Sequence, residues 1–198
     1  MSLYDLENEL RAQGMKLICG VDEAGRGPLA GPVYAAAVIL PAGMEIEGLN
    51  DSKKLTEKKR EALFPVIRSA ALYWGVGFAD HAEIDELNIL NATFLAMNRA
   101  IEATGVSPEL CLIDGNRDKG IRCPSKTVVG GDAKCACIAA ASVLAKVSRD
   151  RFMLEMDSKY PGYGFAGHKG YPTAAHYAAI RALGPCPIHR MTFLKKMH

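Results

Sequence analysis

Residues 16–40, KLICGVDEAGRGPLAGPVYAAAVIL, hold two nearly unbroken apolar runs on either side of an acid pair and a glycine- and proline-rich loop. Strands apolar on both faces belong at the centre of a sheet covered on both sides. Asp22 and Glu23 close the first run. A charged pair at the end of a buried strand must be desolvated, paired or metal-bound. Core packing does not ask for one, so the pair marks a site. Residues 24–32 are too many for a two-residue hairpin. Gly25, Gly27 and Gly31 let backbone approach a ligand, while Pro28 and Pro32 stiffen the loop.

The pattern predicts strands over 16–23, 33–40, 72–79, 110–113 and 126–129. A short amphipathic stretch with Leu3, Leu6 and Leu10 precedes them as a helix or a loose arm. Thr56 is a fair N-cap for a helix that buries Leu63, Phe64 and Ile67, and Pro65 should kink or shorten it. Apolar spacing predicts one helix over 85–104, ended by Gly105. A long alanine-rich helix should run from about 130 to 159, and another from about 173 to 183. Adjacent strands followed by strand–helix alternation read as a mixed sheet with helices on both faces, the α/β class.

At 198 residues the chain is long enough for one domain with a real core, and 1–198 is read as a single unit. Its net charge of +2 excludes indiscriminate polycation binding, so a nucleic-acid surface must come from local clustering. The six cysteines include no CxxC pair and suit a reducing compartment. No apolar run approaches the ~18 residues of a membrane helix and no secretory signal is visible, so cytoplasmic, with no membrane, is the expectation.

Asp22, Glu23 and Asp114 end or follow apolar runs, and ligands in open α/β sheets gather at strand ends. Carboxylate oxygens suit Mg²⁺ or Mn²⁺, which would also relieve their mutual repulsion. Neighbours on an ideal strand face opposite ways, so Asp22 and Glu23 share a site only if the strand distorts or Glu23 reaches around. Asp114-Gly115 also reads as a turn signal, and Asp132 as the N-cap of the long helix.

DEAGRGPLAGP (22–32), DSKKLT (51–56), LIDGN (112–116), GGDAKCACIAAASVLAKVSRD (130–150) and GYGFAGHKGYPT (162–173) together resemble the bacterial ribonuclease HII family. The resemblance implies a ribonuclease H-like five-stranded mixed sheet with a small helical, substrate-contacting C-terminal appendage over roughly 160–198. It implies an endoribonuclease that cuts the RNA strand of RNA–DNA hybrids and incises 5′ to ribonucleotides embedded in duplex DNA. Two-metal hydrolysis would leave 5′-phosphate and 3′-hydroxyl ends, in the service of ribonucleotide and RNA primer removal. Asp22, Glu23, Asp114 and Asp132 would be the catalytic metal ligands. Gly25, Arg26 and Gly27 would read the ribose 2′-OH, and Tyr171 would stack on the neighbouring deoxyribose. Lys53, Lys54, Lys146, Arg149 and Lys169 are candidate phosphate contacts, and a monomer is expected. A DNA nuclease with the same acids and a non-catalytic hybrid binder are the rival readings; the GRG loop with Tyr171, and the intact acid set, argue against them respectively.

Overall fold

The computed structural model describes residues 2–50, 52 and 54–195. Strands β1 (Ile18–Ala24), β2 (Val33–Ile39), β3 (Tyr73–Ala79), β4 (Leu110–Asp114) and β5 (Ser125–Val128) form one sheet in the order β3-β2-β1-β4-β5. β1–β2 and β2–β3 are antiparallel, whereas β1–β4 and β4–β5 are parallel. The two founding apolar runs are the buried centre of the sheet, as their composition requires.

The helices are α1 (Asp5–Ala12), α2 (Glu57–Ala70), α3 (His81–Leu87), α4 (Ile89–Glu102), α5 (Ala136–Lys159), α6 (Phe165–His168), α7 (Ala174–Leu183) and α8 (Met191–Leu194). α5 lies on one face of the sheet with α2 and α1 packed around it, and α4 covers the other. Gly20 lets α5 come so close: a Cβ there would sit 2.2 Å from the backbone carbon of Cys137. The buried alanines of α5 serve the same end, since small side chains bring helix and sheet axes together.

Three local expectations change. The helix foreseen over 85–104 is two helices, because Asp80 and Glu83 form a capping box that starts α3 early. Asn88, at φ 68°, then breaks the chain and caps α4 through its side-chain oxygen. Pro65 does not shorten α2; it lies on the exposed side of a helix held by buried Leu63, Phe64 and Ile67. Asp132 is not the cap of α5, which begins at Ala136 after a 3₁₀ turn, Gly131–Ala133. Glu7 of α1 reaches that helix end instead, accepting the Cys137 N–H at 3.0 Å.

Beyond residue 160 the chain closes on the 24–32 loop. Tyr163, Phe165, Cys186 and Ile188 pack with Ala30 and Met153, while Ile180 and Leu194 pack with Leu29. The six cysteines are free thiols, five of them buried. Among the described residues no helix is long and apolar enough to cross a membrane.

Candidate metal centre and nucleic-acid cleft

β1 outruns its parallel neighbour. Its register with β4 ends at Val21–Ile113, while that with β2 continues to Ala24–Tyr34. Asp22 therefore stands at the open end of the β1–β4 seam, where Asp114 ends β4. The 3₁₀ turn after β5 brings in Asp132, and carboxylate oxygens of the three aspartates lie within 4.8 Å of one another. Asp114 is aimed by the Gly131 N–H, which donates to its Oδ1 at 2.7 Å.

Asp22 is only 3% exposed. Burial, then the charges of Glu23 and Asp114, hold its carboxyl well above its ordinary value of 3.8. The Glu23 N–H donates to it at 2.7 Å, and Ser142 of α5 also hydrogen-bonds it. Ser142 is in turn 2.5 Å from Ser52, oxygen to oxygen. A buried cluster of carboxylates with fixed orientation and no protein cation among the three is a donor set for a hard divalent ion. The residues fit such an ion.

Glu23 has its carboxylate outside the aspartate group, ion-paired to Arg26 at 3.3 Å. Yet both it and Asp22 border one cleft of about 220 Å³, because the cleft opens at the strand end rather than over a face. A second acid–thiol group, Glu7 with Cys135 and Cys137, is already closed by its own hydrogen bonds.

Gly25, Arg26 and Gly27 line the same cleft, as does Tyr171. Gly25 is required by the protein itself: its φ is +96°, and a Cβ would fall 2.0 Å from Arg149 Nε. At Gly27 a Cβ would meet only the Tyr171 ring, at an ordinary 3.7 Å. Tyr171 is 39% exposed. Behind it, the Cys186 N–H donates to His189 Nδ1 (2.9 Å), which leaves His189 Nε2–H facing His176 Nε2 (3.1 Å). His176 Nδ1–H then donates to the Tyr171 carbonyl at 3.0 Å. Burial lowers the His176 pKa to about 4, which keeps this relay neutral.

The five basic candidates divide. Lys146 borders the cleft and pairs with Asp150 at 2.8 Å. Lys54 is exposed, and Lys169 donates to the Ala166 carbonyl. Lys53 lies outside the described residues. Arg149 corrects its expectation: it is fully buried, so it meets no phosphate; Nε and Nη2 donate to carbonyls of the 24–32 loop and Lys169, while Nη1 has no partner among the described residues. His176 is buried and supports the cleft through the Tyr171 carbonyl. Sequence reading missed Ser52, Ser142, His189 and Arg190. Ser142 carried a signal, a lone hydroxyl in the apolar run 136–145; Arg190, in a proline-broken tail, carried none.

The Ribonuclease HII family profile matches residues 19–196. The chain is 56% identical over 192 residues to ribonuclease HII of Geobacter metallireducens, covering 97% of this chain and 90% of that one. Among solved structures, ribonuclease H2 of Pyrococcus horikoshii OT3 superimposes with a TM-score of 0.70 at 29% identity, over 88% of this chain and 92% of that one. The Bst ribonuclease HIII solved with Mn²⁺ shares the fold, with a TM-score of 0.67 at 19% identity over 86% of this chain and 63% of its own.

Proposed function

The chain belongs to the ribonuclease HII family, a metal-dependent nuclease acting on RNA–DNA hybrids, and from that premise we propose that it also incises duplex DNA 5′ to single embedded ribonucleotides. The observation that carries this reading is that Asp22 and Asp114, two of the three clustered aspartates, line one cleft together with the 25–27 loop. Acids that hold metal and a loop that reads sugar are then adjacent, so cleavage and recognition fall on one phosphate.

Asp22, Asp114 and Asp132, with Glu23 at the rim, would hold two Mg²⁺ or Mn²⁺ ions. Bound divalent ions ease deprotonation of the attacking water and offset charge on the leaving 3′-oxygen, giving 5′-phosphate and 3′-hydroxyl ends. The chain's own part is placement. Ser142 and the Glu23 N–H hold Asp22, and the Gly131 N–H holds Asp114. Backbone of Gly25, Arg26 and Gly27 reads the 2′-hydroxyl, and Tyr171 stacks on the next sugar. Lys54, Lys146 and Lys169 contact phosphates, which position a duplex without reading sequence. Residues 1–198 act as one catalytic domain, with roughly 160–198 as its substrate-contacting part. One copy supplies every residue named, which supports a monomer.

The test is cleavage of matched duplexes carrying one ribose or only deoxyribose, with and without Mg²⁺. Metal-dependent cutting 5′ to the ribose alone is expected. Equal cutting of both duplexes would replace this reading with a general DNA nuclease.

A further inference from the structure

Arg190 is fully buried beneath the 24–32 loop, and its planar fork reaches three of the loop's carbonyls. Nη2 donates to Gly25 O at 2.6 Å, Nη1 to Arg26 O at 2.9 Å and Nε to Gly31 O at 2.8 Å. Its own N–H donates to Leu29 O at 2.8 Å. Arg149 takes the neighbouring carbonyls, Pro32 O and Ala30 O, each at 3.3 Å. Among the described residues neither guanidinium is in an ion pair. Burial, then Arg149, lowers the Arg190 pKa to about 9, so this cation is held at a cost that loop carbonyls must offset. Ordinary loop packing does not need such an arrangement.

Its consequence follows from the peptide bond. In a trans peptide the C=O of one residue and the N–H of the next share a plane and point in opposite directions. Holding Gly25 O and Arg26 O inward therefore turns the N–H groups of Arg26 and Gly27 outward. Those two N–H groups donate to nothing among the described residues, and both residues line the cleft beside Asp22. Paired outward N–H groups are an anion- and hydroxyl-binding feature.

We infer that Arg190 is the positioning residue of ribose recognition: by fixing two consecutive peptide planes, it aims the Arg26 and Gly27 N–H groups at the substrate's phosphate or 2′-hydroxyl. The inference rests on the function proposed above. Lysine cannot replace it, because a single ammonium cannot hold three divergent carbonyls as a rigid fork does.

R190K is the variant to measure, on a duplex bearing one ribonucleotide. Arg190 touches no solvent and no phosphate, so KM should stay within about twofold while kcat falls on the order of a hundredfold through misalignment. An unchanged kcat with a lowered melting temperature would reduce Arg190 to a structural residue and overturn the inference. A parallel loss in kcat and KM would make it an affinity contact and do the same. Amide exchange in the wild-type protein decides the matter even if R190K fails to fold. The Arg26 and Gly27 amides should exchange fast in the free protein and slow on adding the same duplex without divalent metal; amides that stay fast would sink the idea. Wild-type cleavage of an all-deoxyribose duplex at the ribose rate would defeat the ribonucleotide reading instead, a distinct result.

Discussion

On the cleft side of the 24–32 loop, three aspartates and a glutamate gather; on its buried side, two arginines and two histidines do the same. Both regions crowd like groups into low dielectric, yet they are relieved differently. Behind the loop the protein supplies most of the relief itself: carbonyls face Arg149 and Arg190, with Arg149 Nη1 left without a partner among the described residues, and tautomers along Cys186–His189–His176–Tyr171 leave both rings neutral and bonded. In the cleft, Asp22 keeps a raised pKa despite its hydrogen bonds. A cluster relieved from within is scaffold, and one left strained is waiting for a ligand.

That contrast breaks most sharply at Asp114. Asp114→Asn should lower cleavage by about a thousandfold or more, since metal-held charge stabilisation is worth several kcal/mol. Its metal-free melting temperature should stay level or rise, because Asn removes a charge that repels the Asp22 carboxylate and raises its pKa. Asp22's raised value makes its contribution to metal-free stability full below pH 3.8 and lost as pH rises, so the gain should grow with pH. Near-normal turnover at saturating Mg²⁺ would take Asp114 out of the centre.

Tyr171 joins the two regions, with its ring in the cleft and its carbonyl on the relay. Tyr171→Ala should cost roughly ten- to a hundredfold in rate on a single-ribonucleotide duplex, the worth of one stacked contact. Duplex affinity, measured by titration, should fall less; an equal fall would make Tyr171 a general affinity contact.

The buried side should show the opposite pH dependence. His176 has its pKa depressed from 6.5 to about 4, so its stabilising share is present above pH 6.5 and lost as pH falls toward 4. Melting curves across that window should lose on the order of 2 kcal/mol, and His176→Gln should flatten the loss. A wild-type curve already flat there would mean that the relay tolerates a proton.

The smallest effects separate the two loop glycines. Gly25→Ala should cost about 1–3 kcal/mol by denaturant melts, from its positive φ and the clash with Arg149. Gly27→Ala should move stability by less than about 0.5 kcal/mol. It should still slow ribonucleotide cleavage, because only the substrate needs that space. Equal destabilisation by both would return Gly27 to the scaffold.

How much of this was legible in the chain follows from what is local. Short apolar runs bounded by glycine and proline read as central strands, so β1, β2 and the α/β class were readable, and Asp22 at the end of such a run announced a site. Motif blocks carried the remaining acids, the GRG loop and Tyr171. Asp132 shows the limit: its neighbours suggested a helix cap, but the 3₁₀ turn that seats it by Asp114 depends on where β5 delivers the chain. Arg149 looked like a surface cation because helix spacing says which face a residue takes, not what later closes over it. Arg190 could not be found at all, since its partners lie 159 to 165 positions away. Short-range sequence fixes dihedrals and burial pattern; which carbonyl a distant guanidinium meets is decided only when the last segment packs, by the hydrogen bonds that make its burial tolerable.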